Sequence, residues 1–407
     1  MKKIILIFLF SILIFSIVKA QWLVQFSGTN SPLTSVYFTD VNNGFIVNSN
    51  DTILKTINGG TNWIPQATGV LNGIRSIYFT NSTTGYVVGG NGLILKTTDG
   101  GNIWTPQNSG ITTLLNSVFF PTVDTGYVIG QWGTILKTTN GGNLWNVIYG
   151  DSSNDFISIY FVNANIGYIT GFINSGFRVL KTTDGGNSWA VLPYTGANDE
   201  LSSVFFINKD TGFVASQYYP GIYKTTDGGN TWSQQSLNTG LGISSIFFVN
   251  DLIGYAVGGI GGEPLFPSSK QILKTTDGGS TWSVQYQGGS FYLLSVFFTD
   301  VNNGCAVGYN GTILKTSNGG TTWIQNNDNA QNVNINIYPN PTTGNFTVKV
   351  LQETKKVCVL NAVGQVIEEK KTGNNYETVF NLNKSGLYFV QVTTAKGIET
   401  KKVIVCR

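Results

Sequence analysis

The 407-residue chain contains no histidine. Its absence excludes Ser-His-Asp and Cys-His nucleophilic catalysis and removes the commonest transition-metal ligand, so neither a metal nor a cofactor is expected. Charge is scarce too: Asp, Glu, Lys and Arg make up 11% of the residues, against roughly 25% in ordinary soluble domains. Residues 21–332 carry 11 basic and 16 acidic side chains, residues 333–407 carry 10 and 5, and no Lys/Arg cluster forms in the first segment. Nucleic acid is therefore not an expected partner. Of the three cysteines, Cys305 stands where other repeats place Tyr or Phe, which makes it a buried filler. Whether Cys358 pairs with Cys406 is open at the level of sequence.

Long apolar runs are lacking as well. The run from Ile4 to Val18, apolar or hydroxyl throughout, is 15 residues, too short for the roughly 20 that a bilayer span requires. It follows Lys2-Lys3 and ends in Val18-Lys19-Ala20, the pattern of a secretory signal peptide over residues 1–20. No later segment approaches a membrane span, so the expected product is soluble and exported; it is expected to be a monomer.

What the chain has in abundance is glycine, 50 residues, and aromatic side chains, 13%. Trp63, Trp104, Trp145, Trp189, Trp232, Trp282 and Trp323 recur at intervals of 41, 41, 44, 43, 50 and 41 residues. Each closes a K-T-x-[DN]-G-G-x-x-W phrase. Each unit also opens on an apolar run such as Ile74 to Phe79, continues through a glycine into a second strand, and turns tightly into a third. Four short antiparallel strands repeated seven times, with no helical period, predict an all-β fold: a seven-bladed β-propeller over residues 21–325. First strands that are apolar at consecutive positions imply blades covered on both faces.

A ring must close. Trp22 to Gly28 copies the fourth strand seen at Trp104 to Gly110, yet no first three strands precede it. The N-terminal segment should therefore add a strand to the last blade and remove its open edge. Whether it replaces or flanks the strand beginning at Trp323 stays open here.

The phrase around each tryptophan resembles the Asp-box, or BNR repeat. Asp99, Asp184, Asp227 and Asp277 carry the acid, and Asn58, Asn140 and Asn318 replace it elsewhere. Since Asn substitutes freely, the role is structural: the side chain accepts backbone N–H bonds in the turn. The seven lysines of the phrases, Lys55, Lys96, Lys137, Lys181, Lys224, Lys274 and Lys315, should form a solvated peripheral ring. Asp40-Val-Asn-Asn-Gly44 and Asp300-Val-Asn-Asn-Gly304 are too short for calcium loops and should be ordinary hairpin turns.

After a polar link over 326–334, residues 335–407 open on Tyr338-Pro-Asn-Pro-Thr-Thr-Gly344, pass through Gly386-Leu-Tyr-Phe-Val-Gln-Val392 and close on the strand Lys401 to Val405. This resembles the type A sorting domain of the type IX secretion system, a small β-sandwich at the C termini of exported Bacteroidota proteins. The resemblance implies the type IX secretion machinery as a partner and an extracellular or outer-surface location.

As a whole, the repeat region resembles the photosystem II assembly and stability factor family, seven-bladed propellers built from L-x-S-V-x-F and G-G-x-x-W units. That resemblance implies a non-catalytic scaffold binding a protein or polysaccharide. The region holds only Arg75 and Arg178, too few for an arginine-rich docking patch or for the three arginines with which a sialidase grips its substrate. Asp-boxes also occur in xyloglucan-cleaving propellers, which makes a secreted glycoside hydrolase the alternative. Such an enzyme needs two carboxylates roughly 5 to 10 Å apart, and the region's glutamates are Glu200 and Glu263, with Asp199 beside the first.

Topology selects a face. Turns between second and third strands lie on the side of the links between blades, opposite the Asp-boxes, and the insertions fall there in blades four to six. They place Phe172, Tyr194, Tyr218, Tyr219 and Phe266 near Asp199, Glu200 and Glu263. Trp132 occupies the equivalent turn of blade three, where others carry Asn91 or Asn310. Aromatic side chains on variable loops suit sugar faces and protein hot spots, so these nine residues form the expected ligand-binding set.

Overall fold

The computed structural model describes residues 22–406 apart from positions 71, 151, 194–199, 218–220, 238, 261–268, 290, 321–323, 326–334, 351–353, 362–365, 372–376 and 395–396. The expected signal peptide and polar link lie outside the described residues. No described residue is helical, and the chain divides into two compact units, Met1–Gln325 and Asn326–Arg407.

Among the described residues the first unit contains seven sheets, numbered here in chain order. In the second, Ile74–Phe79, Gly85–Gly89, Ile94–Thr97 and Thr105–Gln107 pair consecutively and antiparallel. Their sequence explains the arrangement: a tight Gly turn joins β-branched and aromatic runs too short to wrap anything alone. The second strands Gly44–Asn48, Gly85–Gly89 and Gly126–Gly130 are buried at every position. That burial comes from neighbours, because each apolar cluster draws on two adjacent sheets: Phe45, Val47 and Ile53 of sheet one pack with Ile74, Val87 and Leu95 of sheet two. The first strand of each sheet touches that of the next, and the first strand of sheet seven touches that of sheet one. A side chain at Gly85 would come within 2.6 Å of the Phe79 ring, and the six equivalent glycines are equally crowded. These glycines let the phenylalanine of strand one lie flat over strand two.

Sheet seven closes differently from the rest. Leu23–Gln25 pairs antiparallel with Ile313–Thr316, matching Leu23 to Lys315. The N-terminal strand thus replaces the local fourth strand, while Ile324–Gln325 runs parallel to Ser283–Gly288 of sheet six. Trp22 is buried and meets Phe298 edge-on at 5.9 Å and 85°. Trp104 meets Phe79 at 5.9 Å and 83°. Trp22 is therefore the tryptophan of sheet seven; Trp323, which closes the Asp-box phrase of that sheet, lies outside the described residues.

The Asp-box turns are built from one buried hydroxyl and one acceptor. Thr97 Oγ1 donates to Asp99 Oδ1 at 2.8 Å and accepts from Gly101 N at 2.9 Å, while Asp99 Oδ1 accepts from the N–H groups of Asn102 and Ile103. Asn58 and Asn140 accept the threonine hydroxyl and the N–H of the residue four on in the same way, through their side-chain oxygens. Asp40 and Asp300 likewise spend their carboxylates on backbone N–H groups two and three residues on.

The lysine ring is not a solvated periphery. Lys96, Lys137, Lys181 and Lys274 donate to the carbonyls of Gly141, Gly185, Gly228 and Gly319 in the following sheet, at 2.6 to 2.8 Å. Buried tyrosines Tyr86, Tyr127, Tyr168 and Tyr255 donate to the same four carbonyls. The ammonium groups also sit over the rings of those tyrosines, at 5.4 to 5.8 Å. Each of these four lysines is a clasp between sheets, and only 8% of Lys274 is exposed.

Hydroxyls of Ser188, Thr231 and Thr281 donate to Asp184, Asp227 and Asp277 and, with the backbone N–H bonds, hold those carboxyls at about 2, below the usual 3.8. A carboxyl whose pKa is depressed by folding stabilises the fold above its unfolded value and loses that contribution as pH falls through the folded one. Stability should accordingly drop between about pH 4 and pH 2. The triple variant Asp184→Asn, Asp227→Asn, Asp277→Asn is expected to unfold at a lower temperature than the parent at pH 7 and to show a flatter fall below pH 4. Thermal unfolding across pH checks it, and parallel curves for the two proteins would refute the assignment.

In the second unit, Ile335–Tyr338, Asn345–Val350 and Glu377–Asn381 form one sheet. Val366–Lys371, Thr354–Asn361, Gly386–Thr394 and Gly397–Val405 form another. One apolar core, with Phe346, Phe380, Val357, Val390 and Val403, draws on both. The Tyr-Pro-Asn-Pro opening is tied to the last strand: Asn340 Nδ2 donates to Lys402 O, and Asn340 Oδ1 accepts from Ile404 N. Cys358 and Cys406 are both free.

Candidate ligand-binding face

Between first and second strands the register slips once in every sheet, as between Leu33 and Ser35 or Ile74 and Ser76. The residue skipped by each slip is a bulge residue, left without a partner opposite it. Those residues are Thr34, Arg75, Asn116 and Ile157 in the first four sheets, and Ser202, Ser244 and Leu294 in the last three. All seven line a single cavity of about 600 Å³, together with Gln131, Gln217 and Tyr309 from the ends of second strands and Asp155 and Glu200. Sequence reading missed this ring. Its signal was a non-periodic residue, mostly polar, at the second or third position of every first strand, but nothing local reveals a bulge.

Three charges face this cavity, Arg75, Asp155 and Glu200. Burial pushes the Glu200 carboxyl above its usual value. Asp155 Oδ1 accepts from the backbone N–H of Trp132 at 2.9 Å. Trp132 has a φ of +56° and is 59% exposed. The equivalent turns carry Asp51, Asn91 and Asn310, residues that tolerate left-handed backbone, whereas a tryptophan there is strained unless something holds it. Asp155 does the holding. Phe172, also exposed, stands opposite Asp155 in the strand pairing and packs edge-on against Phe177 at 5.4 Å.

Of the expected ligand-binding set, then, Trp132 is bonded to Asp155 through its backbone N–H, Phe172 is the strand-register partner of Asp155, and Glu200 shares the cavity with that aspartate. Tyr194, Asp199, Tyr218, Tyr219, Glu263 and Phe266 lie outside the described residues, so Glu200 and Glu263 have no separation to compare with a glycosidase pair. Among the described residues no group of His, Cys, Asp or Glu is arranged to hold a metal ion.

The family described as Photosynthesis system II assembly factor YCF48 matches residues 15–104, 69–152 and 144–287, together well over half of the chain. The chain belongs to this family. A Secretion system C-terminal sorting domain matches residues 336–406. Among solved structures, YCF48 from Cyanidioschyzon merolae is 21% identical with a TM-score of 0.59, over 73% of this chain and 99% of that one. A YCF48 bound to D1 peptide is 20% identical with a TM-score of 0.61, over 72% and 96%. The GH74 xyloglucanase from Xanthomonas campestris is 11% identical with a TM-score of 0.60, over 92% of this chain and 66% of that one. At these identities the likeness is one of fold, and it places this YCF48-family chain among propeller-like all-β proteins. No curated protein sequence matches the chain.

Proposed function

We propose that residues 21–325 form a seven-bladed β-propeller without a catalytic role, whose cavity mouth binds a protein segment or a polysaccharide outside the cell. Residues 1–20 act as the export signal, and residues 335–407, a β-sandwich after the 326–334 link, as the type IX sorting domain. The observation that carries the reading is Trp132: a large ring held exposed in a strained conformation by Asp155, which itself lines, with the adjacent Gln131, a roughly 600 Å³ cavity to which every sheet contributes. A protein gains nothing in stability from that arrangement, whereas a ligand gains a rigid aromatic platform. One family relative was solved with a peptide bound, which fits a scaffold.

The test is binding. Ligands found for the protein on a glycan array and in a surface pull-down should lose at least about tenfold in affinity with Trp132→Ala, the scale of a hot-spot residue. Unchanged binding of every ligand would overturn the reading. The hydrolase alternative is favoured by one observation, Glu200 with its raised carboxyl on the cavity that Asp155 also lines. Xyloglucan cleavage that disappears in Glu200→Gln would establish it over the scaffold.

A further inference from the structure

Six of the seven seams between sheets are filled the same way. An aromatic residue opening strand two of one sheet lies flat on the phenylalanine ending strand one of the next. Phe45 on Phe79, Tyr86 on Phe120, Tyr127 on Phe161, Tyr168 on Phe206, Phe213 on Phe248 and Tyr255 on Phe298 have centroids 3.6 to 4.5 Å apart. In the seventh seam that residue is Cys305, and its partner Phe38 has its nearest rings at 5.9 and 6.3 Å. A side chain added at Gly101, Gly142, Gly186 or Gly279 would strike the preceding sheet's ring at 2.4 to 2.8 Å. At the equivalent Gly60 it would meet only Trp63 of its own sheet, at 3.3 Å.

Cys305 is buried, as expected, but it does not fill its site. A cavity of about 120 Å³ remains, lined by Phe38, Gly59, Gly60, Trp63, Cys305 and Lys315. An apolar hole of about 150 Å³ is known to take up benzene, so this one has the volume of a single ring. Its polar equipment is equally specific. In four other seams a tyrosine hydroxyl donates to the carbonyl of the first Asp-box glycine, at 2.6 to 3.2 Å. In this seam that carbonyl belongs to Gly59, with the Lys315 ammonium close by.

We propose that the seam between sheets seven and one is a binding site for a small monocyclic phenol. Its ring lies on Phe38 in the space that a tyrosine occupies elsewhere, and its hydroxyl donates to the Gly59 carbonyl. Burial pushes the Cys305 thiol up to about 12, so it stays protonated and serves as an apolar floor, not a nucleophile.

The experiment titrates p-cresol against the whole protein, by calorimetry and by thermal unfolding. Saturable binding below about 1 mM with a rise in Tm is expected. Cys305→Tyr, which supplies the missing ring, should raise the basal Tm by about 2 to 5 °C and abolish the p-cresol response. Cys305→Phe gives a second filled seam should the tyrosine variant fold poorly. Toluene should bind at least severalfold more weakly, since it lacks the donor for Gly59. Absence of saturable binding, a response undiminished in both filled variants, or toluene binding as tightly as p-cresol would each overturn the proposal.

Discussion

Removing residues 22–28 is expected to lower the Tm of the first unit by more than 10 °C or to prevent its folding. The segment is short, but three of its effects add. Leu23–Gln25 supplies the only antiparallel partner of Ile313–Thr316 on that side among the described residues, so its loss exposes an unpaired edge. Trp22 packs with Tyr255, Phe298 and Leu314 across the seam between sheets six and seven, and truncating such a ring alone costs about 3 to 5 kcal/mol. Ser27 and Thr29 also close the turn that receives Gly311. Trp22→Ala, the smaller change, should lower Tm by roughly 10 °C, given about 2 to 4 °C per kcal/mol in a unit of this size. Calorimetric scans of both variants beside the parent measure it. A full-length-like transition in the deletion would mean that the strand Ile324–Gln325 can close sheet seven after all.

That outcome turns on what the sequence could and could not reveal. The repeat of tryptophans and paired glycines made the sheets legible, because each sheet's turn chemistry is local to about ten residues. The likeness of Trp22–Gly28 to Trp104–Gly110 made the closing strand legible too. Which of two candidate strands completes sheet seven was not legible: both carry the pattern, and the choice rests on contacts nearly 300 residues apart. The lysines misled for a related reason. A charge at a regular interval reads as solvated until the acceptor is known, and the acceptor of Lys137 is a carbonyl at Gly185 in another sheet. Cys305 was read correctly as buried, yet burial does not report the space left around it. At the cavity mouth, Trp132 stood out by type alone, whereas Arg75 and Asp155 emerged only through a bulge and a hydrogen bond that join separate repeats.

Tyr127→Cys copies the seventh seam into the third and should cost about 3 kcal/mol, because a fully buried ring stacked at 4.3 Å on Phe161 is replaced by a hole. The lost hydroxyl contributes little to that figure, since Lys137 continues to donate to the Gly185 carbonyl at 2.7 Å. Loss of the aromatic face beneath the Lys137 ammonium adds about 0.5 to 1 kcal/mol. If the missing ring is what creates a phenol site, the variant acquires a second one. Ligand at a hundredfold excess over its Kd then returns about 2.7 kcal/mol, nearly the whole deficit. Urea unfolding of the parent and of Tyr127→Cys, each with and without p-cresol, measures both quantities. The parent midpoint should move once and the variant midpoint about twice as far. A variant that loses stability without gaining a larger p-cresol response would locate the ligand's hold in residues that the seventh seam has and the third lacks, such as Gln25 and Asn303, instead of in the vacant stacking position.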